Sequence, residues 1–284
     1  MNIYQNKKEQ LIKVFEDTQS YFSKFKDSIN YSINHSKIYR ELDIPEIKPR
    51  YSEPVKISVN KYRTIESAQY YKRKNPELKI GILNFASATN PGGGVLKGSS
   101  AQEECICRVS TLYPILAESR ENRKEFYDYH RSLKSNIYSD RIIYSPRILV
   151  FKSDNFIPSY LPERNQFEIE VITCAAPNLN RKPNQEMNPE IVKFNRVSES
   201  QLYKIQESRT KKILSVANEN EIDILILGAF GCGAFKNNPY SVAEAFRVNI
   251  YELFKYSFKE ISFSIFYSNE SSKENYTAFK EIFS

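Results

Sequence analysis

GILNFASATNPGGGVLKGSSAQEECICRVSTLYP, Gly81 to Pro114, passes from an apolar run through three consecutive glycines into a segment that carries two adjacent carboxylates. A strand that runs through a glycine loop into a helix is a building unit of α/β folds, which bind ligands at the carboxyl ends of their strands. Only eight glycines occur in the 284 residues, at 81, 92, 93, 94, 98, 228, 231 and 233. All fall in this stretch or in a second one, LILGAFGCGAF, from Leu225 to Phe235. Glycine serves where backbone needs a positive φ or must approach a ligand closely. Two glycine loops, each directly after an apolar run, predict two strand ends that meet over one bound molecule.

Around that stretch the periodicity predicts alternating elements. Lys79–Ser87 reads as the strand feeding the first loop, and Ser100 to about Ala117 as a helix with Ile106, Val109, Leu112, Tyr113 and Leu116 on its buried stripe. Upstream, Val55–Val59 is a short strand, and Thr64 caps a helix reaching about Lys74. Downstream, Glu118–Asn136 is charged helix and loop. Ile142–Lys152 and Phe167–Ala175 are β-rich, with Pro146 marking the first as an edge or interrupted strand. Ser198–Asn220 places Leu202, Ile205, Arg209, Ile213 and Val216 on one helical face, behind a Ser198/Gln201 capping box. Ile222–Ala229 is apolar apart from Asp223, as in a strand buried on both faces. A helix from Pro239 to about Tyr256, a strand Glu260–Ser268 and a helix from about Lys273 complete the chain. This alternation predicts α/β architecture, with helices on both faces of a mostly parallel or mixed sheet. In front of it, Leu11, Val14, Phe15, Phe22, Phe25 and Ile29 give an amphipathic helical pattern, and DIPEIKPRYSEP (Asp43–Pro54) reads as an extended linker. The expected division is an N-terminal helical extension and linker over 1–54 and a catalytic domain over 55–284.

Composition narrows the chemistry. A chain of this length buries a core without staples. The four cysteines (Cys105, Cys107, Cys174, Cys232) show no CxxC spacing, and Met1–Gln10 lacks the apolar core of a signal peptide. The longest strongly apolar run, Ile222–Phe230, is far shorter than the ~20 residues a membrane helix needs. The expectation is a soluble intracellular protein of a reducing compartment, cytoplasmic with the nucleus left open. Of the net charge of +7, residues 1–80 supply +6 (16 Lys and Arg against 10 Asp and Glu). That basic flank reads either as a solvated helical face or as an attractor of polyanions. Histidines occur only at 35 and 130, neither close in sequence to a glycine loop. Zinc sites, Ser-His-Asp triads and Cys-His pairs therefore lack their parts. Acid and base work falls to carboxylates.

Glu103 and Glu104 are the candidates. Ser100 and Glu103 have the spacing of a capping box, so Glu103 reads as a helix cap or as a site residue; Glu104 has no capping duty. Consecutive helical residues point about 100° apart, so the two do not flank a bond as the opposed pair of ordinary glycosidases does. One glutamate must carry the proton. The helix N-terminus favours its ionised form, while exclusion of water and a phosphate-rich ligand favour the protonated one. The second loop, GAFGCGAF, offers backbone N–H groups to phosphates or is a plain glycine turn. It is not a P-loop, since no Gly-Lys-Ser/Thr follows. Cys232 reads as a small packing residue, and Phe235, emerging beyond the glycines, as a stacking ring.

Gly92-Gly93-Gly94, seven intervening residues and Gln102-Glu103-Glu104 resemble the signature of poly(ADP-ribose) glycohydrolases. LNFASATNPGGG, AQEE, AAPNLN (Ala175–Asn180) and GAFGCGAFKNNP look like the bacterial-type branch. The resemblance covers about Lys61–Tyr267; the front 60 residues match less, and Glu118–Asp140 carries no motif of the family. It implies a macrodomain-like fold, a three-layer α/β/α sandwich with a mixed sheet. It also implies Glu104 as catalytic acid and base, with Glu103 and Gln102 positioning the ribose on either side of the scissile bond. Asn90 with Gly92, Gly93 and Gly94 would hold the terminal ribose and diphosphate. Gly231, Cys232, Gly233 and Ala234 would cradle the diphosphate, and Phe235 would stack. The implied reaction is hydrolysis of ribose-ribose O-glycosidic bonds to release ADP-ribose, with no metal or redox cofactor.

Two rivals share the fold. A mono-ADP-ribosyl hydrolase would act on a protein or nucleic-acid acceptor, and a reader would bind ADP-ribose without cleaving it. The intact Gln-Glu-Glu speaks against the reader. The expected partners are poly(ADP-ribose) or an ADP-ribosylated macromolecule as substrate and ADP-ribose as product, without a membrane. Direct nucleic-acid binding is not expected, since no recognisable module for it occurs.

Overall fold

The computed structural model describes residues 3–180, 194–267 and 270–284. The chain begins with helices α1 (Ile3–Ser20) and α2 (Lys26–His35), then strands β1 (Lys37–Tyr39) and β2 (Lys56–Asn60), helix α3 (Thr64–Lys74) and strand β3 (Ile80–Phe85). The glycine loop leads through a 3-10 turn, Val95–Lys97, to α4 (Gln102–Val109) and α5 (Leu112–Glu118). Helix α6 (Arg120–Asn122) runs through a π-helical turn, Arg123–Asp128, into α7 (Tyr129–Leu133). Strands β4 (Ile142–Val150) and β5 (Phe167–Cys174), helix α8 (Glu199–Glu219), β6 (Ile224–Leu227), α9 (Pro239–Glu252), β7 (Glu260–Ser264) and α10 (Glu270–Ile282) follow.

The strands form one sheet in the order β1-β4-β5-β3-β6-β7-β2. Strands β5, β3, β6, β7 and β2 run parallel, whereas β4 is antiparallel to both β5 and β1, so the sheet is mixed. Alternation within the apolar strands divides the core. Ile224 and Ile226 of β6 join a cluster with Phe15, Ile65, Ile106 and Phe126, while Leu225 and Leu227 join Ile213, Phe246 and Phe279 on the other face. Helices therefore cover both faces, the three-layer α/β/α arrangement expected.

Several local expectations need correction. The helix over 100–117 is two helices, because Ser110 leaves the helical path to bridge Val150 and Thr111 N–H donates to Leu149 O at 3.0 Å. Thr64 is the first residue of α3, not its cap; the Glu66 carboxylate accepts from Arg63 N–H at 3.2 Å. The front helical pattern is two helices joined by a turn at 21–25, and β1, unforeseen, pairs with β4 over Ile142–Tyr144. Pro146 does sit at an irregularity: the β4–β5 register shifts between Ser145 and Ile148, and Arg147 takes φ 53°. Strand β7 ends at Ser264, and Ser268, where it was expected to end, lies outside the described residues. The Ser198/Gln201 capping box forms as expected.

Candidate active site

The site lies where β3, β5, β6 and β7 end. Gln102, Glu103 and Glu104 occupy the first turn of α4, whose N-cap is Ala101 with no side-chain cap. Ser100 does not close a capping box with Glu103. Each of the three side chains instead holds a different piece of backbone. Gln102 accepts from Phe85 N–H at 2.9 Å and donates to Leu83 O at 2.7 Å and Thr64 Oγ1 at 3.2 Å, which ties α4 to the end of β3. Glu103 accepts from Ser87 N–H at 2.7 Å and from Asn84 Nδ2 at 3.3 Å. Glu104 Oε1 accepts from Gly94 N–H at 2.8 Å, and its buried Oε2 has no partner among the described residues.

The glycine loop is shaped by these carboxylates. Gly92 and Gly93 take φ of 67° and 59°. A Cβ on Gly93 would stand 2.5 Å from Glu104 Oε1 and 3.0 Å from Glu103 Oε2. The two side chains, which leave the helix in different directions, therefore reach one point and do not diverge. Both are buried, 3% and 5% exposed, and desolvation together with the neighbouring Glu104 charge pushes the Glu103 carboxyl well above its usual range. Hydrogen bonds from Ser87 and Asn84 oppose that rise without cancelling it. Asn90 closes the loop from the other side, its N–H donating to Ser87 Oγ at 3.1 Å and its carbonyl accepting from Gly93 N–H at 2.9 Å.

The second loop faces the first. Gly231 takes φ 74°, and Asn237 fixes it, donating from Nδ2 to Gly231 O at 3.0 Å and to Pro177 O at 2.8 Å. Gly233 and Ala234 are exposed, and a Cβ at Gly233 would meet nothing within 4 Å. The amides of Gly233, Ala234 and Phe235 donate to no protein acceptor among the described residues. Cys232 is buried, and desolvation raises its thiol pKa, which suits a packing residue. Phe235 is half-buried, with Tyr138 beside it at 6.3 Å between ring centroids.

Residues without a sequence motif complete the surroundings. Asn84, a polar residue in the apolar run of β3, was legible as an oddity. Tyr127, fully buried with its hydroxyl unpartnered among the described residues, senses the Glu103 charge and comes from a stretch with no motif. Arg108, one turn after Glu104 and 2% exposed, donates to Ser99 O and to Leu11 O of α1 (3.4 Å). It thereby pins the segment between the glycine loop and α4. His130, remote from the glycines in sequence, sits on α7, whose Arg131 donates to Thr89 O at 2.6 Å. Burial holds the His130 pKa down at about 4, so its ring is neutral at pH 7. At the far side, Phe266 beyond β7 is 51% exposed, and the Arg63 guanidinium lies 4.7 Å from its ring centroid. Among the described residues no group of three or more His, Cys, Asp or Glu converges as a metal site, and no helix is long and apolar enough to cross a membrane.

Comparison with known proteins gives a consistent result. The chain is similar to the poly(ADP-ribose) glycohydrolase of Thermomonospora curvata, at 24% identity over 96% of this chain and 99% of that one, with a TM-score of 0.82. The same protein bound to the inhibitor ADP-HPD matches with a TM-score of 0.78. The glycohydrolase of Deinococcus radiodurans in complex with ADP-ribose matches at 29% identity, over 89% of this chain and 96% of that one, with a TM-score of 0.74. No curated protein matches the sequence. The family model of the microbial-type PARG catalytic domain covers residues 10–153, just over half of the chain, including the glycine loop and both buried glutamates. This chain therefore belongs to the family of microbial-type poly(ADP-ribose) glycohydrolase catalytic domains.

Proposed function

We propose that the chain cleaves the ribose-ribose O-glycosidic bond of poly(ADP-ribose) and releases ADP-ribose, with Glu104 as both acid and base. One observation carries the assignment: Glu104 is held at Oε1 by the Gly94 amide while Oε2, buried, faces no protein donor among the described residues. An oxygen that must pass a proton to a ligand needs that arrangement. Burial and the neighbouring Glu104 charge push the Glu103 carboxyl well above its usual range. Both oxygens of Glu103 accept hydrogen bonds from N–H groups, which leaves Glu104 Oε2 as the carboxylate oxygen open to a ligand.

In the first step Glu104 protonates the departing ribose oxygen as positive charge develops at the anomeric carbon. In the second, water attacks that carbon and gives its proton to Glu104. Each well-placed transfer contributes ~10²- to 10⁴-fold. The diphosphate lies on the amides of Gly233, Ala234 and Phe235, where its negative charge stabilises the oxocarbenium-like state. Phe235 orients the reacting ribose. Gln102, whose amide is engaged by β3 and Thr64, acts as a positioning residue. Phe266, with the Arg63 guanidinium over its ring, receives the base. The relatives solved with ADP-ribose and ADP-HPD support this reading. Four free cysteines, three of them buried, suit a reducing intracellular compartment.

The test is incubation of the purified protein with automodified poly(ADP-ribose), beside a mono-ADP-ribosylated control, with products separated by chromatography. Free ADP-ribose from the polymer, with the last protein-linked unit left in place, is the expected outcome. Release from the mono-modified control alone would make the chain a mono-ADP-ribosyl hydrolase, and binding without release a reader.

A further inference from the structure

Beside the active site lies a cleft of about 720 Å³, walled by Leu133, Ile137 and Tyr138 on one side and Phe194, Asn195 and Arg196 on the other. Sites for small organic ligands span roughly 300–1,000 Å³, which a nucleotide fills comfortably. The cleft is joined to the catalytic machinery by buried polar contacts. Fully buried Asn136 accepts from Asn195 N–H at 2.7 Å and donates to Asn178 O at 2.8 Å, in the loop that follows β5. One residue on, Leu179 N–H donates to Phe235 O at 2.8 Å. Tyr138 lines the cleft with its ring beside that of Phe235, and its φ of 58° is a strained conformation for a bulky residue. The lining includes one cation, Arg196, and no Asp or Glu. Arg196 is exposed and forms no ion pair among the described residues.

Strand order gives the cleft a direction. Along the sheet the ends run β5, β3, β6, β7. The exposed Phe266 follows β7, the phosphate-binding loop follows β6, and the reacting ribose belongs at the loop after β3. A ligand laid in that order points its anomeric carbon toward β5, and the cleft opens on the loop after β5. We propose that the cleft binds the next ADP-ribose unit, on the leaving-group side of the bond to be cut, with Arg196 at its diphosphate and Phe194 and Tyr138 against its nucleoside. This subsite rests on the glycohydrolase reading and concerns a second nucleoside diphosphate beyond the one that ends at the catalytic glutamates.

The test compares the full chain with Arg196→Glu, Phe194→Ala and a distant charge reversal, Lys255→Glu, in ADP-ribose release from poly(ADP-ribose). Binding of free ADP-ribose is measured by calorimetry on each. Arg196→Glu and Phe194→Ala should raise KM for the polymer about tenfold or more while leaving the Kd for ADP-ribose within twofold of wild type, and Lys255→Glu should change neither. An unchanged KM, an equal rise in Lys255→Glu, or a parallel rise in the ADP-ribose Kd would overturn the subsite alone. Wild-type protein that releases nothing from the polymer would overturn the functional reading and the subsite together.

Discussion

At Gly93 a φ of 59° and a carboxylate oxygen 2.5 Å from where a Cβ would stand leave no room for a side chain. Gly93→Ala should therefore displace Glu104, lowering turnover about 100-fold or more, with a stability loss of only about 1–2 kcal/mol from the backbone conformation. Urea unfolding and steady-state rates on one preparation check both halves; near-wild-type turnover would show that the loop need not fit so closely. The sequence made the glycines and glutamates legible because glycine is so scarce in this chain. It did not reveal that Glu103 serves the Ser87 amide and not a capping box, since capping and site residues share the Ser-x-x-Glu spacing. Tyr127 and Arg108 were hidden for another reason: the charge of Glu103 that Tyr127 senses and the α1 carbonyl that Arg108 reaches come near only once distant elements have packed.

Elements were legible where periodicity is strong and misjudged where tertiary contacts interrupt it. The buried strands β3 and β6 and the amphipathic α8 lie close to where the pattern placed them. The break between α4 and α5 was invisible, because Ser110 and Thr111 are tolerated inside a helix and only the end of β4 draws them out of it. The charged segment Glu118–Asn136 is helix and loop as read, and its helix α7 carries His130 into the core against Phe126 at 4.5 Å. This element has a pH signature. Above pH about 6.5 the ring is neutral in both folded and unfolded chains and the fold keeps its full stability. As pH falls from there toward about 4, the unfolded chain takes up a proton that the folded one refuses, and stability declines by on the order of 3 kcal/mol. Below about 4 this residue adds no further loss. His130→Gln should flatten that part of the stability profile, measured by urea unfolding between pH 7.5 and 4; an unchanged slope would show that the ring is not held neutral.

For the whole molecule, the N-terminal 54 residues had read as an appendage. Phe15 and Ile29 are 1% and 5% exposed within the main core, β1 extends the sheet, and Leu11 O accepts from Arg108 of α4. We propose that this segment is a structural part of the catalytic unit, so removing residues 1–40 should abolish cooperative unfolding, given ~3–5 kcal/mol for a buried Phe alone. A truncated protein that melts cooperatively and turns over at the wild-type rate would contradict this. Its separate appearance in the sequence came from the prolines of Asp43–Pro54, which signal an extended path but not what lies on either side. The proposed chemistry converges on Glu104, and the most direct measurement is Glu104→Gln beside wild type, with ADP-ribose binding by calorimetry and ADP-ribose release from poly(ADP-ribose) on the same samples. The account predicts an ADP-ribose Kd within a few-fold of wild type and release at least ~10²-fold slower. Release at a rate close to wild type, with binding intact, would contradict it.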